Sequence, residues 1–257
     1  MNEPLLAAAD DALTWLPATT RELIEQTRSL LATTLGADLE AICLIGSAVN
    51  PSRGDRARSP ELLCIVAHDR LAELADLAKA IARPMQQGVR VRLLTREELD
   101  RSSDVFALEI AEWKARHRLI HGADPFATVT WTRADLRRAI ETELRGLTRR
   151  VRNRVLAGMA VGPARDNPAR AVADGVDCLL VAAHHVLVMV DGEAPTEESA
   201  LLSKLSEKTK VDVSRLVAVL PTLRAANTSP STMDTLNALL AITEATTRWV
   251  DGLEGDA

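Results

Sequence analysis

Tyrosine is absent from the 257 residues, and two phenylalanines and four tryptophans make up the whole aromatic complement. The core must therefore be filled by Leu, Ala, Val and Ile, a palette suited to packed helices, so helix is expected to dominate. Cysteine is nearly as scarce. Cys43, Cys64 and Cys178 lie far apart, each in an apolar run where a thiol packs as a small hydrophobe. Their spacing excludes a disulfide framework and a cysteine-based zinc site. Also missing is an unbroken apolar run of the about 20 residues that a membrane span needs. The nearest candidate, Val176 to Val190, is shorter and carries Asp177, His184 and His185, so it reads as a buried central helix and no membrane partner is expected. The N-terminus lacks a basic segment followed by an apolar stretch, so no signal peptide is read there and cytoplasmic residence is the expected default. Excess positive charge is lacking too: the formal charge of −5 opposes non-specific binding of nucleic acid over the whole surface.

What is present divides into two patterns. Thr20 to Leu35 carries Leu23, Ile24, Thr27, Leu30, Leu31 and Leu35 at helical spacing, with Gly36 where a C-cap belongs. Leu39 to Ile45 reads as a strand, followed by the turn Gly46-Ser47 and a loop of turn-formers from Asn50 to Asp55. Glu61 to Val66 and Val89 to Leu94 read as further strands, separated by a helix holding Leu71, Leu74, Ala75, Ala78 and Ile81. Thr95-Arg96-Glu97-Glu98 has capping-box spacing and starts another helix. One more, with Phe106, Ile110, Trp113 and His117 on one face, is expected to end close to Gly122. From Thr132 onward only helical periodicity is found. Asn167-Pro168 and Ser229-Pro230 are expected helix starts, and Met233, Leu236, Leu240, Thr243, Thr247 and Val250 form a heptad-like seam. The expected fold is α+β: a small mixed β-sheet with helices, followed by an all-α helical bundle. The boundary falls between Asp124 and Trp131, giving domains 1–126 and 127–257.

A strand ending in Gly-Ser (Ile42 to Ser47), a loop of roughly a dozen residues, and a strand opening after a serine (Ser59 to Val66) is an organisation that resembles polymerase-β-like nucleotidyltransferases. Ser103 to Glu109, then Arg116 to Phe126, are similar to the segment closing the catalytic domain in a group of bacterial nucleotidyltransferase-like proteins. Glu143 to Leu147 with Arg149 and Arg152, and Glu244 to Asp251, resemble that group's appended helical domain. The resemblance implies a nucleotide as ligand. It also implies Mg²⁺ held by an Asp-x-Asp pair on the second strand, because residues two apart share a face. At the matching places this chain has Pro60 and Leu62, and where a third carboxylate belongs stand Arg90 and Arg92. Glu61, after a one-residue slip of register, and Asp55, reaching in from the loop, are the remaining candidates for metal.

The preferred reading is therefore a degenerate nucleotidyltransferase-like protein, catalytically silent, acting as a nucleotide-binding or regulatory module with no catalytic residue and no cofactor. A homodimer or protein partner is compatible with it. The alternative is an active transferase using Mg²⁺, Glu61 and Asp55 to move a nucleoside monophosphate to a small molecule, protein or nucleic acid. A third is an interaction protein that binds no nucleotide. Gly46 and Ser47 are candidates for nucleotide phosphate, or form a tight turn that needs glycine. Arg133 to Arg154 holds eight arginines against three acids, with Arg138, Arg145, Arg149 and Arg152 on one helical face. Arg145 and Arg149 are the candidates for nucleotide phosphates; the structural reading is a solvated face or arginines paired with acids of the other domain. Stacking aromatics for single strands are missing nearby, which disfavours nucleic acid. Arg116 and His121 have a spacing that resembles HEPN-type ribonucleases, but they fall at the end of the catalytic-domain helix. His184 and His185 read as core or interdomain histidines, and His68-Asp69 as a loop.

Overall fold

The computed structural model describes residues 13–49, 59–68, 71–161, 168–224 and 233–255. The chain divides into two compact units, Met1–Trp131 and Thr132–Ala257. The architecture is α+β, a small mixed sheet with helices followed by an all-helical region.

In the first unit, helix α1 (Ala18–Leu35) ends at Gly36, whose φ of 55° lets its N–H reach back to the carbonyl of Ala32. Strands β1 (Leu39–Ile45) and β2 (Glu61–Val66) have the expected bounds. Helix α2 (Leu71–Gln86) connects β2 to β3 (Arg90–Thr95), a crossover that makes this pair parallel. The Thr95 hydroxyl accepts from the Glu98 N–H while the Glu98 carboxylate accepts from the Thr95 N–H, so the expected capping box starts α3 (Arg96–Arg101).

The helix expected to run to Gly122 stops much earlier. Helix α4 spans Ala107–Ala115, and Arg118–Gly122 is a fourth strand, β4, antiparallel to β1. The sheet order is β3-β2-β1-β4. The edge of β1 not used by β2 needs hydrogen-bond partners, and β4 satisfies it over a few residues. Gly122 makes this possible: its φ is 79°, and a Cβ there would fall 1.9 Å from the Glu40 carbonyl oxygen.

Both faces of the sheet are covered. Ile42, Leu44, Leu62 and Cys64 pack with Ile24 and Leu31 of α1 and Leu77 and Ile81 of α2. Cys43, Ile45, Leu63 and Ile65 pack on the other side with Leu99, Ile110, Trp113 and Phe126. Burial pushes the Cys43 and Cys64 thiols up to about 12, so both stay neutral thiols that fill space.

The second unit contains α5 (Arg133–Val161), α6 (Pro168–Asp191), α7 (Glu198–Thr209), α8 (Ser214–Arg224) and α9 (Met233–Asp251). Asn167 and Ser229-Pro230, the expected helix starts, lie outside the described residues. Thr132 and Asp135 form a reciprocal cap on α5: the Asp135 N–H donates to the Thr132 hydroxyl, and the Asp135 carboxylate accepts from the Thr132 N–H. Helix α6 is the centre of the unit, packed by α5, α7 and α9. Its Ala171–Asp191 stretch is long and apolar enough to cross a membrane by length and composition, yet 61% of the most apolar window is buried within the protein. Asp177, which interrupts that run, meets the Arg224 guanidinium at 2.6 Å, and Arg224 also holds Glu198 at 2.8 Å. The seam expected on α9 is broader than a heptad stripe. Leu236, Thr243, Thr247 and Val250 are buried as expected, joined by Leu239, Ile242 and Thr246, whereas Met233 is exposed. The buried threonines satisfy their hydroxyls on carbonyls one turn back, Thr243 on Leu239 and Thr246 on Ile242.

Candidate functional site

The turn after β1 and the first residue of β2 meet at one end of the sheet. Gly46 has φ of 72° and is exposed, and a short 3₁₀ turn, Gly46–Val49, follows it. Ser47 is half-buried, while Ala48 and Val49 are buried and anchor the turn. The Trp15 indole N–H donates to the Ala48 carbonyl at 3.1 Å, a support that no sequence pattern announced. A Cβ on Gly46 would stand 3.5 Å from Glu61 Oε2. Glu61, therefore, is the carboxylate of β2 that faces the turn.

Alternation along β2 explains this. Leu62 lies fully buried on the α1/α2 side of the sheet, and Pro60 is buried. Glu61, one residue out of phase with Leu62, lies on the opposite side, and the run Leu62 to Val66, apolar on both faces, hid that phase. The parallel register sets Glu61 opposite Arg90 and Leu63 opposite Arg92, so both arginines share the Glu61 face. The Arg90 Nη2 forms an ion pair with Glu61 Oε2 at 3.2 Å, and the Arg92 Nε makes a close contact with Glu61 Oε1. The Arg92 Nη1 also donates to Glu109 of α4 at 2.9 Å. Glu61 is itself buried, with 7% of its surface exposed, so its carboxylate depends on these guanidiniums for charge compensation.

This donor set does not fit a divalent cation. Magnesium asks for several carboxylate or water oxygens in octahedral order. Here one carboxylate offers both oxygens to arginines, and a second cation beside them would be repelled. Among the described residues no group of three or more His, Cys, Asp or Glu is placed to hold a metal ion. Asp55, the other candidate, lies outside the described residues.

The arginines of α5 are mostly engaged within their own unit. Arg138 pairs with Asp135 at 2.5 Å, Arg152 with Glu244 of α9 at 2.5 Å, and Arg154 with Asp174 of α6 at 2.8 Å. Arg150 donates to Glu143, which also accepts from the Cys178 thiol; burial, and then the nearby Glu143 charge, push that thiol well above its ordinary value. Arg145 is held by Glu141 at 2.7 Å and reaches Asp251 at 3.8 Å. Arg149 alone of the four on this face is exposed with no ion pair or hydrogen bond to a described residue. Arg116 caps the end of α4 and pairs with Glu112, while His121 sits on β4 opposite Ile42, so the ribonuclease-like spacing is split between two elements. His184 and His185 meet edge to face at 5.1 Å in the core helix, and His185 is buried. His68 is exposed after β2, and Asp69 lies outside the described residues.

No family model and no curated protein matches the sequence. Among solved structures, the chain is similar to spectinomycin adenyltransferase AAD(9) from Enterococcus faecialis, crystallised with ATP and spectinomycin. The TM-score is 0.58 at 12% identity, covering 90% of this chain and 99% of that one. The fold is nucleotidyltransferase-like.

Proposed function

We propose that this chain is a nucleotide-binding protein of nucleotidyltransferase-like fold that does not transfer nucleotides. The observation that carries the reading is the pair of guanidiniums closed on Glu61. The carboxylate of β2 that faces the Gly46 turn is already neutralised by Arg90 and Arg92. A transferase of this fold relies on divalent ions to stabilise attacking and departing oxygens. An arginine compensates charge but does not activate an attacking hydroxyl, and losing about 4 kcal/mol of transition-state stabilisation costs roughly a thousandfold in rate. What remains is the turn of exposed, positive-φ Gly46 and half-buried Ser47, with two half-exposed arginines beside it, a surface able to receive phosphate oxygens. The neighbour's bound ATP makes adenine nucleotides the first ligands to try.

Incubation with labelled ATP, GTP, CTP and UTP, Mg²⁺ or Mn²⁺, and small-molecule, protein and RNA acceptors tests the silent half of this reading. No transfer above that of a heat-treated sample is expected. Transfer that disappears in Glu61→Ala defeats it and establishes an active transferase. Thermal unfolding tests the binding half: a nucleotide at a hundred times its Kd adds about 2.7 kcal/mol of stability. No shift with any nucleotide leaves a protein of purely structural or interaction role.

A further inference from the structure

The stripe where α5 and α9 pack carries two arginines that no described residue neutralises. Two cross-helix ion pairs fix how these antiparallel helices align: Arg152 with Glu244 at 2.5 Å, and Arg145 with Asp251 at 3.8 Å. The two pairs are seven residues apart on either helix, so each helix presents the same i, i+4, i+7 face to the seam. On α5 the residue between them is Arg149, and on α9 it is Arg248. Arg149 lies three residues from Arg152, and Arg248 four from Glu244. With a rise of 1.5 Å per residue their levels along the seam differ by only about 1.5 Å. Two exposed guanidiniums are thus set across from each other between two closed ion pairs. Neither makes an ion pair or hydrogen bond with any described residue. The flanking carboxylates are already taken: Glu244 by Arg152, Glu141 by Arg145 and Arg137, and Asp251 by Arg145.

Like charges facing across a helix seam repel, and a sequence that is acidic overall has acids to spare for neutralising them. The arrangement makes physical sense if a ligand supplies the missing negative charge. We infer that Arg149 and Arg248 form an anion site for an oligophosphate, the guanidinium forks each gripping phosphate oxygens through paired N–H groups. Arg145, occupied by Glu141 and Asp251, frames the site and does not bind in it. The ligand is compact. Two uncompensated positive charges match a small dianionic or trianionic group, while the net charge of −5 and the scarcity of aromatics oppose a long nucleic-acid strand. The site lies wholly within the helical unit, so it goes beyond the proposal for the Gly46 turn and stands or falls separately.

The test is calorimetric titration of the full-length protein with inorganic pyrophosphate and tripolyphosphate, in EDTA and at low salt. Arg149→Ala and Arg248→Ala should each weaken binding at least tenfold. Arg133→Ala, an exposed arginine on the same helix away from the seam, should change it less than twofold. Arg149→Lys should recover part of the loss, and circular dichroism of each variant establishes that it is folded. Unaltered affinity in folded Arg149→Ala and Arg248→Ala overturns the site. So does an equal loss in Arg133→Ala, which marks general charge attraction, or tighter binding of duplex or single-stranded nucleic acid through the same two arginines. Loss of pyrophosphate binding in Arg149→Ala and Arg248→Ala, while ATP still raises the thermal stability of the same variants, separates the two proposals.

Discussion

The sheet unit and the helical unit each place a pair of arginines on one face, and treat them in opposite ways. Arg90 and Arg92 project from adjacent same-face positions of β3 onto a buried carboxylate, and Glu109 closes the chain of charges. Arg149 and Arg248 come from different helices, stand at about one level of a seam, and pair with no described carboxylate. The first pair is fixed by backbone register, because a parallel ladder dictates which residues oppose. The second is held only by side-chain packing and by the ion pairs on either side. A compensated cluster is a structural element that has lost its freedom to bind a cation, and an uncompensated one is open to an anion. The same side chain therefore closes on a carboxylate in one unit and stands without one among the described residues in the other.

The largest expected effect comes from disturbing the sheet that carries the first pair, at its β1–β4 edge. Gly122→Ala places a Cβ 1.9 Å from the Glu40 carbonyl oxygen at a φ of 79°, so β1 and β4 must separate. We expect a loss of about 3 kcal/mol or more by urea denaturation. Gly36→Ala, with φ of 55° and open space around it, isolates the backbone strain and should cost about 1 kcal/mol. Equal losses in the two variants would mean that the close approach of β4 to β1 does not hold the sheet.

The buried thiols give the next effect. Cys43 and Cys64 are held at about 12 in the folded sheet unit against an ordinary thiol value of 9.0. Below pH 9 both states keep the proton and stability is flat. As pH rises from 9 toward 12 the unfolded chain loses its protons first, so stability falls by about 1.4 kcal/mol per pH unit for each thiol. Urea midpoints at pH 8, 9 and 10 should show the decline, and Cys64→Ala should reduce its slope relative to its own value at pH 8. An unchanged slope would place the alkaline sensitivity elsewhere.

Much of this was legible in the residues, and what was not has identifiable causes. Strands β1 and β2, the glycine end of α1 and the capping box of α3 announce themselves through local chemistry. Strand β4 does not, because Arg118 to Gly122 is five residues long and continues the spacing of Ile110, Trp113 and His117, which mimics a longer helix. It exists because β1 has an edge to fill, a tertiary fact. The pairing of Glu61 with Arg90 depends on register. An apolar strand buried on both faces gives no clue to which of its residues faces the Gly46 turn, and only the structure shows that Glu61 does. Arg248 was invisible for a similar reason: its role follows from the alignment of α9 with α5, which no single helix reveals.

Removing the compensating group should convert the first arrangement into the second. Glu61→Ala leaves Arg90 without its carboxylate and Arg92 with Glu109 alone. Because both arginines are about half exposed, we expect a loss of about 1 to 2 kcal/mol, well below that for breaking a fully buried pair. Glu61→Gln, which keeps a hydrogen-bond acceptor, should lose less. Glu61→Ala should also free both guanidiniums for anions, read as tighter phosphate binding at the Gly46 turn in the same calorimetric titration. If stability falls and affinity there is unchanged, Arg90 and Arg92 are structural whether or not they are compensated.

The smallest effect carries the opposite sign. Arg149→Glu replaces one of two facing positive charges with the partner that Arg248 lacks, turning the middle of the α5/α9 seam into a third cross-helix ion pair. An exposed pair contributes modestly, so a gain of about 0.5 kcal/mol is expected in phosphate-free buffer. The equivalent change at the sheet, Arg92→Glu, should instead destabilise, because it sets a second carboxylate beside buried Glu61. Salt decides whether the gain is electrostatic: the Debye length shrinks from about 10 Å at 0.1 M to about 3 Å at 1 M, so the advantage of Arg149→Glu should fade over that range. A gain that survives 1 M salt would come from packing or helix propensity. A loss at low salt would mean that Arg149 already has a partner on the protein, and the two pairs of arginines would then be compensated alike.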